Sequence, residues 1–264
     1  MSLLDLVVLA VVQGLTEFLP VSSSGHLVIA SSLLLDGTTD SAGELADVAI
    51  SLHMGTLLAI VVCYFRELLD LVTRERRMLG MVVVGSLPAA MLGVPVKLCG
   101  WDESLQSLPL ASVMLVVTGV VLLGSKRFLS RDRLPLTGWS AWWIGCAQAL
   151  AIVPGLSRSG LTIVTGLARR LDSETAATFS FLLAVPAIAG AGLLQVVQRI
   201  GDRQVAAVIP NFHMLLTTGV SFVVGWVALR LLLATLRRGH FQWFAAWCIP
   251  LGTFMLWTCT GTVE

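Results

Sequence analysis

Six stretches of this chain, roughly 45–64, 78–98, 110–124, 176–196, 213–234 and 241–260, are apolar enough to leave water altogether. A helix needs about 20 largely apolar residues to cross a bilayer, and these reach or approach that length. The third is short and is expected to extend back toward Leu105. Only 12% of residues are charged and 56% are hydrophobic, whereas soluble domains carry about 25% charged residues. The sequence therefore predicts an all-α polytopic membrane protein, a single integral membrane domain over 1–264. The bilayer is its first partner. Net charge is +1 and the basic residues are scattered over short loops, which argues against a nucleic-acid partner. Cys63, Cys99, Cys146, Cys248 and Cys259 fall in or beside apolar runs without a CxxC pair, so they read as packing residues. The start lacks a basic n-region and an Ala-x-Ala site, so its apolar run is expected to be retained.

Two further apolar regions, 1–35 and 139–170, are broken at their centres by polar turns. The first turn runs from Thr16 and Glu17 through Pro20, Ser22, Ser23 and Ser24 to Gly25 and His26; the second holds Pro154, Gly155, Ser157, Arg158, Ser159 and Gly160. Irregular backbone at membrane depth is tolerated only in protein or beside a wet cavity. Both regions therefore read as re-entrant hairpins, each a pair of short helices meeting at a polar tip. They also resemble each other. Gln13 precedes Gly25 by twelve residues and Gln148 precedes Gly160 by twelve, with Ser22 and Ser24 matching Ser157 and Ser159. Each hairpin is followed by three spans, so the chain reads as two repeats, about 1–124 and 139–260.

Charge sets the expected orientation. Arg66, Arg74, Arg76, Arg77, Lys126, Arg127, Arg131, Arg133, Arg169, Arg170, Arg230, Arg237 and Arg238 fall in loops assigned to the cytoplasm. Lys97, Arg199 and Arg203 lie opposite, with the acidic segment Asp36–Asp47 and the Asp102–Glu103 loop. Counting crossings, hairpin one enters from outside and hairpin two from inside. The repeats are then inverted, an arrangement that brings broken elements together near mid-membrane.

Glu17, His26 and Arg158 are ionisable groups in an apolar setting, which costs about 3 kcal/mol each on insertion scales and marks a site. The Arg158 guanidinium offers forked donors to phosphate oxygens, with Ser157, Ser159, Thr162 and a helix start beside it. His26 with Ser22, Ser23 or Ser24 offers a base and a nucleophile; the imidazole can instead attack phosphorus itself or only stabilise charge. Glu17 can act as base, orient His26 or hold a divalent cation, and Gln13 shares its helix face. His53 either borders the cavity or packs. The tryptophans, Trp139, Trp142, Trp143 and Trp243 among them, fall near span ends and read as interfacial anchors.

The run Gln13–His26 and the segment Pro154–Gly160 closely resemble the two motifs of the undecaprenyl-diphosphatase (bacitracin resistance protein) family. The segment Phe179–Pro186 resembles that family's following helix. The resemblance implies a membrane hydrolase that converts undecaprenyl diphosphate to undecaprenyl phosphate and inorganic phosphate, recycling the lipid carrier for cell-wall synthesis. It implies residence in the inner (cytoplasmic) membrane, and the Lys/Arg bias adds the expectation that the site opens to the outer side. By the same resemblance Glu17, Ser23, His26 and Arg158 are catalytic, while Gln13, Ser22, Ser24, Ser157, Ser159 and Thr162 surround the phosphate. A divalent cation, Mg2+ or Ca2+, is implied near Glu17. The family's acidic motif carries Glu or Gln at its first position, here Gln13, so Glu17 supplies its only carboxylate. A homodimer is compatible with the sequence.

Two other functions share part of this pattern. A lipid phosphatase of the acid-phosphatase type needs a histidine six residues after the arginine, where Val164 stands, and a Lys-x6-Arg-Pro element that is missing. An inverted-repeat transporter or flippase of polyprenyl phosphates would use the same broken helices without cleavage. The serines beside His26 favour hydrolysis.

Overall fold

A computed structural model describes residues 2–34, 40–101, 105–128, 133–201 and 212–261, and among these there is no strand. Hairpin one is α1 (Leu3–Phe18) and α2 (Ser23–Leu34). It is followed by α3 (Asp40–Cys63), α4 (Phe65–Thr73), α5 (Arg76–Leu98) and α6 (Leu108–Gly124). Hairpin two is α7 (Gly138–Leu150) and α8 (Arg158–Ala168), followed by α9 (Ser173–Gly201), α10 (Phe212–Arg237) and α11 (Ala245–Gly261). Asp36, Asp102, Glu103, Arg131 and Arg203, used above for orientation, lie outside the described residues.

Local chemistry sets the element ends. The Asp5 N–H donates to Ser2 Oγ and the Ser2 N–H to Asp5 Oδ2, a reciprocal box that starts α1. The helix stops at Leu19, extended at φ −62 and ψ 144, because the Pro20 ring disfavours helix in the residue before it. Thr137 caps α7 by accepting from the Ser140 N–H. Asp172 starts α9 by accepting from the N–H groups of Glu174 and Thr175.

Among the described residues four helices, α5, α6, α9 and α10, are long and apolar enough to cross a membrane, and α3 with α4, bent by 74° at their junction, makes a fifth candidate. Three expectations need correction. The third span does not reach back to Leu105: Ser107 is extended, and α6 begins at Leu108 with Pro109 in its first turn. The loop expected after the first span is largely the nine-residue α4, with Leu71 buried while Arg66 and Glu67 are exposed. The last span, expected over 241–260, is a 3-10 turn (Phe241–Phe244) leading into the 17-residue α11.

The helices pair through small residues, as they must where lipid is as apolar as leucine. The helices α1 and α3 lie along α10, α5 along α7, and α6 along α11. A Cβ on Gly145 would stand 2.1 Å from the Gly85 carbonyl oxygen, so α5 and α7 cross backbone to backbone. Beneath the polar tips, Phe181 meets Phe18 edge-on at 5.8 Å and stacks with Tyr64 at 5.9 Å, in a core that includes Leu115, Ile144, Ile163 and Leu229. Met91, Leu98, Leu193, Val223 and Phe254 face outward, as a surface in contact with lipid requires.

Candidate active site

The two turns are built alike. In the first, the Gly25 N–H donates to Ser22 Oγ (3.3 Å), and Ser22 Oγ pairs with Ser24 Oγ (3.3 Å). In the second, the Gly160 N–H donates to Ser157 Oγ (3.1 Å), and Ser157 Oγ pairs with Ser159 Oγ (3.3 Å). Each first serine is thus an N-cap, and each turn ends at a helix N-terminus, where backbone N–H groups favour an anion. The tips also touch. A Cβ on Gly25 would lie 3.1 Å from Gly155 Cα, and the Ser159 hydroxyl donates to the Leu19 carbonyl (3.3 Å).

Hairpin two is held from outside by one residue that sequence reasoning did not single out. The fully buried Thr118 of α6 donates its hydroxyl to the Gly155 carbonyl (2.8 Å) and accepts from the Ser157 N–H (3.0 Å). Gly155 itself sits at φ +91 with Ala111 O 2.1 Å from where a Cβ would be, so only glycine fits.

Glu17 is where the halves of the chain meet. Arg158 Nη2 donates to Glu17 Oε1 at 2.6 Å, a pair separated by 141 residues in sequence. The other oxygen, Oε2, accepts from Gln13 Nε2 (2.9 Å) and from Ser23 Oγ (2.7 Å). Two buried polar atoms are left without a partner here, Arg158 Nη1 and Gln13 Oε1. A cavity of about 320 Å³ opens beside them, with Glu17, Ser22, Ser23, Ser24, Ser157 and Arg158 on its polar wall. Its apolar wall includes Met54, Ile188 and Ala191 of α3 and α9.

Other candidates stand one layer back. Gln13 orients Glu17, and Ser159 ties the tips together. Thr162 accepts or donates with Ser180 and donates to the Arg158 carbonyl (2.7 Å). His26 is buried and does not line the cavity; its ring meets Trp247. His53 does line it, with Nδ1 2.7 Å from the Ala49 carbonyl. Its only signal in the sequence is a histidine inside an apolar span.

Apolar helices long enough to cross a bilayer several times, with two polar turns meeting in one cavity, define a multi-pass membrane protein with an internal site. The chain matches the family described as "Bacitracin resistance protein BacA" over residues 6–254. It belongs to that family. Among its relatives, the "Undecaprenyl-diphosphatase" of Rhodopirellula baltica is 42% identical over 260 residues, covering 97% of each chain. The protein of the same name from Desulfosudis oleivorans is 41% identical over 279 residues, covering 95% of this chain and 96% of that one. The "Undecaprenyl-diphosphatase 1" of Corynebacterium jeikeium is 36% identical over 274 residues, covering 97% and 94%.

Proposed function

We propose that the protein is a membrane hydrolase that removes the terminal phosphate of undecaprenyl diphosphate, returning undecaprenyl phosphate to cell-wall synthesis and conferring bacitracin resistance. The names of its relatives support the substrate. The observation that carries the chemistry is Glu17, which binds the Ser23 hydroxyl and Arg158 at the same time. Arg158 Nη1, buried and unpartnered, is a free donor for a phosphate oxygen beside two helix N-termini. In this reading Ser23 Oγ attacks the terminal phosphorus as its proton passes to Glu17, 2.7 Å away. The bridging P–O bond breaks and undecaprenyl phosphate leaves. Water then attacks the phosphoserine, the Ser–O–P bond breaks, Glu17 returns its proton to Ser23, and the water's proton leaves on phosphate.

The implied divalent cation does not fit a resident site here. Among the described residues Glu17 is the one carboxylate lining the cavity, both its oxygens already accept, and one of the donors is a guanidinium. Gln13 Oε1 is the free acceptor, and no group of three His, Cys, Asp or Glu suited to a metal occurs among the described residues. We propose that Mg2+ or Ca2+ is needed only as the counter-ion that accompanies the diphosphate. Activity then falls with chelator, while the substrate-free protein retains no metal by elemental analysis.

The re-entrant hairpins and the inverted repeat, about 1–124 against 139–260, are part of the same proposal. The duplicated serine caps support it, as does reciprocal packing: α1 on α10 answers α7 on α5. Orientation draws on one end of the bundle. Arg74, Arg76 and Arg77 share a cavity with Leu136 and Thr175, Arg237 pairs with Glu174 (2.8 Å), and the Leu134 N–H donates to the Arg170 carbonyl. By the positive-inside rule that end is cytoplasmic. Gln195, on the rim of the active-site cavity, lies about 30 Å along α9 from Thr175, so the site opens to the outer side of the inner membrane.

The deciding experiment is phosphate release from undecaprenyl diphosphate by purified protein in detergent, with Arg158→Ala as control. Release that Arg158→Ala abolishes supports the reading. Absence of release, with movement of intact lipid across vesicles, would instead make the protein a flippase.

A further inference from the structure

The imidazole of His26 is engaged at both nitrogens. Nδ1 lies 2.8 Å from the Ser22 carbonyl oxygen, and Nε2 lies 2.9 Å from the indole nitrogen of Trp247 at the start of α11. An indole N–H can only donate and a carbonyl can only accept. The two bonds together fix the ring: Nδ1 carries the proton and Nε2 accepts. The planes lie within 12° of parallel, with centroids 6.2 Å apart. No lone pair on this ring is left for the Ser23 hydroxyl.

The ring's other bond reaches an unusual residue. Ser22 sits at φ +67, the left-handed region that costs a residue other than glycine about 1–2 kcal/mol. Its carbonyl accepts twice from His26, through the backbone N–H (3.2 Å) and through Nδ1–H. That kink is what starts α2 at Ser23 and leaves Ser23 Oγ 2.7 Å from Glu17. The same turn of α11 touches the hairpin a second time, where Cys248 Sγ lies 3.6 Å from the Pro20 carbonyl.

We propose that Trp247 is a positioning residue for the reaction: its N–H holds His26 in one tautomer, and His26 in turn holds the Ser22 kink that aims Ser23 at Glu17. Trp247 is 56% exposed, in the manner of an interfacial anchor, yet its N–H turns inward to His26. This rests on the phosphatase reading above and gives His26 a different task from that of a base.

Trp247→Phe keeps an aromatic ring and removes the donor. Expected is a fall in kcat of about tenfold, the worth of one well-made hydrogen bond, with KM unchanged. The 15N resonances of selectively histidine-labelled protein in detergent report the ring directly. His26, assigned by its loss in His26→Asn, gives the neutral Nδ1–H pattern in the wild type and a tautomer mixture in Trp247→Phe. His26→Asn, whose amide N–H can reach the Ser22 carbonyl, retains far more turnover than His26→Phe. Adding Trp247→Phe to His26→Asn lowers turnover no further. Wild-type kcat in Trp247→Phe, an unchanged tautomer, or the same loss in the His26→Asn background would overturn the proposal. So would a His26→Asn protein as inactive as His26→Phe, since the imidazole would then be needed chemically. If the wild type releases no phosphate, the phosphatase reading fails, and the tautomer spectrum still tests the indole bond.

Discussion

Thr118→Val isolates one hydroxyl and asks how much of hairpin two depends on it. The side chain is fully buried, and valine fills the same volume without the oxygen. Its loss leaves the Gly155 carbonyl and the Ser157 N–H without the partners they have at 2.8 and 3.0 Å. Each buried backbone group left unpaired costs about 1–3 kcal/mol, so the substitution removes about 2–6 kcal/mol. That is a large share of the 5–15 kcal/mol that typically holds a protein folded. Thr118→Ser keeps the hydroxyl and gives up one methyl, about 1 kcal/mol. The order expected in thermal unfolding in detergent is wild type, then Ser, then Val, with Val well separated. Phosphate release follows the same order, because Ser157 caps the helix whose first residue is Arg158. Equal melting temperatures for Ser and Val would show that the bridge contributes nothing and that apolar packing alone holds the turn.

Three further outcomes are expected. Gly155→Ala yields no folded, monodisperse protein, because φ is +91 and the new methyl would meet Ala111 O at 2.1 Å; a normal elution profile would refute this. Glu17→Gln preserves shape but removes the proton acceptor and the counter-charge of Arg158, and lowers phosphate release by roughly a hundredfold or more, as loss of a general base does; a fall of less than fivefold would count against the role. Burial pulls the Asp172 carboxyl upward, but hydrogen bonds from Thr175 and Glu174 outweigh it and hold its pKa below the ordinary value. Its stabilisation is therefore complete above the unfolded pKa of about 3.9 and is lost as pH falls through the lower folded value. Asp172→Ala lowers stability by about 1 kcal/mol at pH 7, and the gap to wild type narrows at pH 3; a constant gap would refute it.

The hairpin turns were legible because polar residues interrupt otherwise apolar runs, and the Gln13–Gly25 and Gln148–Gly160 spacing exposed their likeness. Glu17, Ser23 and Arg158 come together in the structure, each from a polar turn that interrupts an apolar run. Thr118 and Trp247 were not legible. Each is ordinary in its own helix, and its role comes from a contact 37 to 221 residues away. The boundary at Leu108 was missed because apolar content says nothing about where Pro109 allows a helix to begin. The helix α4 was hidden because its charges read as a loop while Leu71 faces the core.

The Glu17–Arg158 pair also constrains how the chain can be made. Synthesis delivers the carboxylate 141 residues before the guanidinium. A nascent chain ending after α6 would hold an ionised Glu17 with its partner not yet translated, in surroundings where a lone charge costs several kcal/mol. Hairpin one therefore cannot reach its final depth with Glu17 ionised as it leaves the insertion machinery. Its charge is matched only once hairpin two has followed, so the ion pair that joins the two halves of the protein is a late step of assembly.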